Sequence, residues 1–160
     1  MRPVVACIQV SVERITMKEE ESAAMLITRK VEFSASHVCV NPALDRAANE
    51  ELYGAEANPH GHGHNFVLEV TLEGEPDPVS GMIIDLRQVK QLLEEEVVEP
   101  MDHRHLNREV PPFDRVVPTP ENLALEIWRR LEPRFAATPA RLKQIRLYET
   151  EDLFVDYEGR

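Results

Sequence analysis

Three histidines lie at spacings that would place their imidazoles on one face of a β-sheet. His62 and His64 are separated by one glycine, and the residues after them alternate between apolar and polar as in a half-buried strand. Residues two apart share a face of a strand, so both imidazoles point with the apolar side chains. His37 has the same parity as the apolar residues of an earlier segment. The pattern therefore predicts three imidazoles on the inward faces of two strands.

These predicted inward imidazoles need a partner, because an unpaired polar group in an apolar environment costs free energy. A bound metal ion would serve all three at once. Three histidines without a fourth protein ligand are typical of a catalytic zinc site with an open coordination position. Iron and manganese are alternatives for the same ligands. His60 shares the parity of the later pair and competes with it as a ligand, or else is a solvated loop residue.

Composition limits the classes of partner. The chain has 160 residues, enough for one domain with a substantial core, and its net charge of −11 disfavours nucleic acids and anionic membranes. No segment has the length and apolarity expected of a membrane span. Two cysteines, Cys7 and Cys39, do not make a disulfide framework. We therefore expect a cytoplasmic protein with reduced thiols and a small-molecule substrate.

The spacing of apolar residues and helix signals predicts an α+β fold. We expect residues 1–22 to be an N-terminal extension of unknown role and residues 23–160 to form a single domain. A four-stranded antiparallel sheet with two helices on one face fits the order strand, strand, helix, helix, strand, strand. The open edges of such a sheet favour a homo-oligomer. The predicted strands cover 24–38, 64–74, 143–150 and 153–157, a short helical piece covers 42–52, and the two helices begin at Asp85 and Thr119 and end at Pro100 and Pro133.

Several motifs in this order resemble the family of 6-pyruvoyl tetrahydropterin synthase and 6-carboxytetrahydropterin synthase, over roughly residues 24–160. The resemblance implies the tunnelling fold, with trimers that stack into a hexameric barrel. It also implies bound zinc and 7,8-dihydroneopterin triphosphate as the substrate. The motifs are Phe33-Ser-Ala-Ser-His37, Asn58-Pro59 with Gly61-His-Gly-His-Asn65, Gly81-Met82, Pro100-Met-Asp-His103 with Leu106, Thr119-Pro-Glu-Asn122 and Tyr148-Glu-Thr150.

Residue roles follow from the resemblance, motif by motif. The zinc ligands would be His37, His62 and His64, and the acid–base pair would be Asp102 and His103. A carboxylate beside an imidazole raises its basicity and orients its ring, as that role requires. A glutamate at the inward end of a strand suits the edge of a pterin ring, which offers it two hydrogen-bond donors. The predicted substrate-binding residues are Glu149 as the pterin anchor, with Thr119 and Glu121 beside it.

One residue departs from the family pattern. Where the family has a catalytic cysteine, six residues before the first histidine of the final pair, this chain has Glu56. Members of the family with this glutamate are associated with cleavage of the substrate's side chain between C1′ and C2′. That reaction gives 6-hydroxymethyl-7,8-dihydropterin, a folate precursor, and it is the leading hypothesis from the sequence. Cys39 is interpreted as a packed small residue and not as a displaced nucleophile.

Other functions stay open at this stage. Within the enzyme class, the alternatives are 6-pyruvoyl tetrahydropterin synthase, which eliminates triphosphate, and 6-carboxytetrahydropterin synthase of the queuosine branch. A pterin- or purine-binding protein without turnover is the alternative from another class, since fold alone does not fix function. A second difference from the family is Pro120, which stands where a threonine is usual and removes one hydroxyl from the predicted pterin wall.

Overall fold

A computed structural model describes residues 24–159, and the predicted extension over residues 1–22 lies outside them. The described part forms one sheet with helices packed on it. Its strands are β1 (Met25–His37), β2 (His62–Gly74), β3 (Arg104–His105), β4 (Arg141–Tyr148) and β5 (Phe154–Tyr157). Its α-helices are α1 (Arg46–Tyr53), α2 (Leu86–Leu93), α3 (Glu99–Met101), α4 (Leu106–Glu109) and α5 (Pro120–Phe135), with a 3-10 turn at Gly54–Ala57 and a π turn at Glu94–Val98.

The sheet is built around the antiparallel pair β1 and β2, whose register runs from Met25 opposite Gly74 to His37 opposite His62. The strand order is β3-β1-β2-β4-β5. Alternation in the sequence gives the sheet one apolar face, because directly paired residues point the same way. Helix α5 packs on that face over β4 and β5, and α2 packs over β1. The predicted α+β class, with both long helices on one face, is confirmed.

The sheet differs from the prediction in having a fifth strand. Residues Arg104 and His105 pair in parallel with Ala35 and Ser36 of β1, so the sheet is mixed and β1 is not its edge at that end. Two residues are too few to show the alternation by which a strand is detected in a sequence. The second strand also begins at His62, two residues earlier than predicted.

Both prolines predicted to end helices lie inside helical structure. After α2, the Glu99 N–H donates a hydrogen bond to the Glu94 carbonyl in the π turn. Helix α3 then continues through Pro100. Helix α5 includes Pro133 and ends at Phe135, whose side chain is fully buried. A proline within a helix costs about 3 kcal/mol. Burying one large apolar side chain contributes about 1.5–3 kcal/mol, which offsets much of this cost.

The apolar face of the sheet ends in a stacked aromatic pair that supports the histidines. Phe33 and Phe66 are paired across β1 and β2, with ring centroids 5.1 Å apart and both rings buried. The His64 ring lies 5.5 Å and the His37 ring 6.1 Å from the Phe66 ring. The imidazoles at the end of the sheet therefore pack against this buried aromatic pair.

Candidate metal centre

Three imidazoles converge at the end of the β1–β2 pair. His37 is paired directly with His62, and His64 follows two residues along β2 on the same face. Their ring centroids are 4.4–5.2 Å apart. One ring nitrogen from each histidine lies within 4.8 Å of the other two. The strand register thus brings together the three residues that the sequence analysis selected as ligands.

The hydrogen bonding of these rings fits a shared cation. The Nε2 atoms of His37, His62 and His64 are buried and have no hydrogen-bond partner among the described residues. An unsatisfied buried nitrogen costs free energy, and three imidazole nitrogens that lie together can each present a lone pair to a common partner of positive charge. Imidazole nitrogens are ordinary zinc ligands, so the donor set suits that metal.

His37 is held in the orientation that a ligand needs. Its Nδ1 donates to the carbonyl oxygen of Pro118 at 2.7 Å, which leaves Nε2 as the lone-pair nitrogen facing the site. Burial lowers the pKa of His37 to about 4, and burial with the neighbouring His62 lowers the pKa of His64. Both rings are therefore neutral at physiological pH and able to coordinate. The Pro118 carbonyl is an orienting group that the sequence pattern did not reveal.

Glu149 approaches the same point from β4. Its Oε1 lies 3.5 Å from Nε2 of His64 and 3.7 Å from Nε2 of His37. The side chain is 13% exposed, and burial followed by the charge of Glu56 raises the pKa of its carboxyl group. A cavity of about 680 Å³ runs past Glu149 and His64 toward Tyr148. The carboxylate is thus well placed to meet a planar ligand that offers hydrogen-bond donors.

Glu56 also reaches the site, from the 3-10 turn before β2. Its Oε2 lies 2.5 Å from Nε2 of His62, although the two groups do not have the directional geometry of a hydrogen bond. Its backbone carbonyl accepts a hydrogen bond from the Cys39 N–H at 2.9 Å. The side chain is 55% exposed, so a bound molecule has access to it. The structure therefore places Glu56, the residue that differs from the family pattern, against the histidine cluster.

Asp102 and His103 form a hydrogen-bonded pair on the other side of β1. Asp102 Oδ2 accepts from His103 Nδ1 at 2.7 Å, and Asp102 Oδ1 accepts from the Ser34 N–H at 2.7 Å. These hydrogen bonds lower the pKa of the Asp102 carboxyl group, and the one from the Ser34 N–H has the larger effect. His103 has a φ of +57° and a side chain that is 82% exposed. Its ring lines a cavity of about 510 Å³ that extends to His64.

The other residues that the sequence singled out lie outside the group of three histidines. Thr119 caps α5 by accepting the Asn122 N–H, and it directly follows the residue that orients His37. Glu121 is exposed, and its charge contributes to raising the pKa of Glu149. His60 is exposed and does not join the group of three ligand atoms. Cys39 is a buried free thiol whose pKa burial and the charge of Glu56 raise to about 11.

Comparisons with known proteins point to one family. A family profile described as 6-pyruvoyl tetrahydropterin synthase matches residues 26–160. The chain is 44% identical over 134 residues to a 6-pyruvoyl tetrahydrobiopterin synthase of Poecilia reticulata, covering 83% of this chain and 89% of that protein. A Pongo abelii protein of the same name is 40% identical, with 83% and 90% covered. The structure of Caenorhabditis elegans 6-pyruvoyl tetrahydropterin synthase superposes with a TM-score of 0.81 at 35% identity, over 86% of this chain and 97% of that one.

Two further proteins are similar to this chain. A dihydroneopterin monophosphate aldolase of Pyrococcus furiosus is 36% identical over 97 residues, which are 61% of this chain and 77% of that protein. A Plasmodium vivax 6-pyruvoyltetrahydropterin synthase, with a catalytic glutamate replaced by cysteine, has the same fold. Its TM-score is 0.56 at 14% identity, with 84% of this chain and 97% of that chain covered.

Proposed function

Because this chain belongs to the 6-pyruvoyl tetrahydropterin synthase family and is an enzyme of that family, we propose that it is a zinc-dependent lyase acting on 7,8-dihydroneopterin triphosphate. The observation that carries the proposal is the convergence of three Nε2 atoms that lack hydrogen-bond partners with the half-buried carboxylate of Glu149. A metal site beside a hydrogen-bond acceptor for a pterin edge is what side-chain chemistry on a pterin requires.

The proposed roles divide binding from proton transfer. His37, His62 and His64 hold the metal, which when bound polarises oxygens of the substrate's side chain and lowers the pKa of its hydroxyl groups. Glu149 accepts hydrogen bonds from the pterin ring and fixes its orientation. Thr119 and Glu121 form the neighbouring wall, at the N-terminus of α5. The metal, Glu149 and this wall would together hold the reacting carbons next to Glu56.

The first candidate reaction is elimination of triphosphate to give 6-pyruvoyl tetrahydropterin. The relatives that are 40% and 44% identical are named for this activity, and they favour it over the cleavage that the sequence alone suggested. In this reaction Glu56 would take the proton from C1′, and the Asp102–His103 pair would return a proton to the product. The Plasmodium vivax protein has a glutamate as a catalytic residue, which supports a carboxylate as a working group on this fold.

The second candidate is cleavage between C1′ and C2′ to give 6-hydroxymethyl-7,8-dihydropterin. Two observations favour it: the glutamate at position 56 and the similarity to an aldolase that acts on a related phosphate ester. Here Glu56 would remove the proton of the C2′ hydroxyl group, so that a carbonyl forms at C2′ as the carbon–carbon bond breaks. The electron pair of that bond would pass to C1′, which would take up a proton from the Asp102–His103 pair to give the hydroxymethyl group. The same carboxylate thus serves either reaction, and the product distinguishes them.

A product assay tests both candidates. Zinc-loaded protein is incubated without oxygen with 7,8-dihydroneopterin triphosphate, and the pterins and free triphosphate are identified by mass spectrometry. Formation of 6-pyruvoyl tetrahydropterin with stoichiometric triphosphate supports elimination. Formation of 6-hydroxymethyl-7,8-dihydropterin supports cleavage, and the 6-carboxy product would assign the protein to the queuosine branch. Bound pterin that is never converted would overturn the proposed lyase activity.

Assembly and location are part of the proposal. We expect a homohexamer, formed as two stacked trimers, because both edges of the sheet carry backbone groups that another copy can pair with. We also expect the protein to act in the cytoplasm, where a free thiol such as that of Cys39 stays reduced. No helix within residues 24–159 is long and apolar enough to cross a membrane.

A further inference from the structure

The segment 102–107 runs alongside the last residues of β1 and is joined to them step by step. The His103 N–H donates to the Ser34 carbonyl at 2.6 Å, and the Ser34 N–H donates to Asp102 at 2.7 Å. The two residues of β3 then pair with residues 35 and 36. The backbone pairing stops there, one residue before the metal ligand at position 37.

Asn107 continues this pairing with its side chain. Its Oδ1 accepts a hydrogen bond from the Val38 N–H at 2.9 Å, and its Nδ2 donates to the Val38 carbonyl at 3.0 Å. An amide side chain that bonds both backbone groups of one residue acts like one more residue of the neighbouring strand. Both bonds join positions 69 residues apart in the sequence. Val38 is therefore fixed, although the regular strand ends at His37.

The residue that Asn107 fixes lies between two parts of the candidate site. His37 precedes Val38, and Cys39 follows it and donates its N–H to the carbonyl of Glu56 at 2.9 Å. Release of Val38 would loosen the backbone of a metal ligand on one side. On the other side it would loosen the only backbone hydrogen bond recorded between the Glu56 turn and the end of β1 within residues 24–159.

We propose that Asn107 is a positioning residue, which acts through Val38 to hold His37 and Glu56 in their working geometry. The inference rests on the proposed function, because it assumes that His37 binds the metal and that Glu56 transfers a proton. It goes beyond that function in assigning a role to a residue outside the cluster. Outer groups that orient metal ligands typically change metal affinity or activity 10–100-fold when removed. Because Asn107 acts through the backbone, we expect an effect at the lower end of this range.

The test compares Asn107→Ala with a control that loses comparable hydrogen bonds elsewhere. Thr138→Ala is suitable, because the Thr138 hydroxyl group, in the turn between α5 and β4, can donate to the carbonyl of Phe135 or Ala140 at 2.8 Å and accepts from the Ala140 N–H at 3.3 Å. That turn precedes β4, whereas Glu149 follows it, so the control lies at the opposite end of the strand. Urea unfolding would show whether the two variants lose similar stability.

Three measurements then separate positioning from simple stabilisation. Zinc affinity, measured by competition with a chromophoric chelator, should fall about tenfold in Asn107→Ala and stay unchanged in Thr138→Ala. The visible spectrum of the cobalt-substituted protein should change only in the Asn107 variant. Amide hydrogen exchange should accelerate at Val38 and Cys39. With substrate, kcat should fall about tenfold while KM changes less than threefold, because Glu149 directly follows β4 and is not held by Asn107.

The outcomes are decisive in either direction. Zinc affinity and kcat within twofold of the wild type in a folded Asn107→Ala protein would overturn the proposal, as would equal losses in the Thr138 control. If Asn107→Ala does not fold, Asn107→Asp takes its place. This variant retains the acceptor for the Val38 N–H but loses the donor to the Val38 carbonyl, and its zinc affinity should fall by less than the tenfold expected for Asn107→Ala. If the wild-type protein does not convert the triphosphate substrate, the proposed function fails, and the zinc and exchange measurements still decide the role of Asn107.

Discussion

At the scale of single residues, Glu56 is the proposed proton-transfer group of both candidate reactions. Its carboxylate lies against His62 and is exposed to a bound substrate. General acid–base groups contribute about 10²–10⁴-fold to rate. We therefore expect Glu56→Gln to lower kcat at least about 100-fold in the product assay, with zinc content unchanged because Glu56 is not one of the three ligands.

Two variants sharpen the Glu56 experiment. Glu51→Gln removes an exposed acid from the neighbouring helix α1 and should leave turnover unchanged. Glu56→Cys introduces the thiol that is usual in the family and should recover part of the elimination activity. Full turnover by Glu56→Gln would show that this side chain transfers no proton in the reaction.

The buried imidazole of His37 makes a prediction about pH for the metal-free protein. Its pKa is lowered to about 4 in the folded state, from 6.5 in the unfolded chain. Between these values the unfolded state binds more protons, so stability falls as the pH falls from about 6.5 to about 4 and is unaffected above. The loss is about 3 kcal/mol at 1.36 kcal/mol per unit of pKa. His64 acts in the same direction, and Glu149, whose pKa is raised, opposes it.

Urea unfolding of chelator-treated protein across this pH range measures the effect of His37. The matched variant is His37→Asn, whose amide can still donate to the Pro118 carbonyl but does not titrate. Its stability should depend less steeply on pH than that of the wild type. Equal slopes for the two proteins would mean that His37 does not lose its proton on burial.

At the scale of secondary structure elements, the N-terminus of α5 connects stability to the site. Thr119 caps this helix, and the residue before it orients His37. Replacing a capping threonine with alanine costs typically about 1 kcal/mol. We expect Thr119→Ala to lose that amount in urea unfolding, while Thr119→Ser keeps the cap and the stability. A loss of turnover by Thr119→Ser without loss of stability would point to contact with the pterin through the threonine methyl group.

The elements that the sequence predicted are those with a periodic pattern. Alternation identified the long strands, and capping residues marked where α2 and α5 begin. The convergence of His37 with the later pair followed from parity, since residues on one face of paired strands must meet. The roles of these residues did not follow from parity. They came from resemblance to a family and remain proposals.

Other elements carry no local signal in the sequence. Strand β3 is too short to alternate, and its partner is set by tertiary packing. Pro100 is tolerated because the preceding turn is π-helical, a geometry that no residue type specifies. The Pro118 carbonyl and the Asn107 amide are likewise invisible, because each acts on a residue about 70–80 positions away. Contacts at such separations depend on the completed fold.

At the scale of the whole molecule, the free edges of the sheet predict self-association. Strand β3 covers only residues 35 and 36 of β1, and β5 forms the opposite edge. Large apolar side chains are exposed near both edges: Leu26 is 59% exposed near the start of β1, and Phe154 is 44% exposed at the start of β5. Pairing of β1 of one copy with β5 of the next is a head-to-tail contact, which closes into a ring when the rotation between copies is suitable.

A charge placed at this edge should disrupt the ring. We expect the wild-type protein to have a native mass several times its 18.3 kDa chain, and Leu26→Lys to shift it toward the monomer in native mass spectrometry. Val79→Lys is the matched control, since Val79 is 94% exposed but lies in the turn after β2 and not on an edge strand. Dissociation by Val79→Lys alone would place the contact at that turn. His103 is exposed on the β3 side of β1, where a neighbouring copy could cover it. Loss of the ring without loss of turnover would show that no neighbouring copy is needed there and that a single chain holds a complete active site.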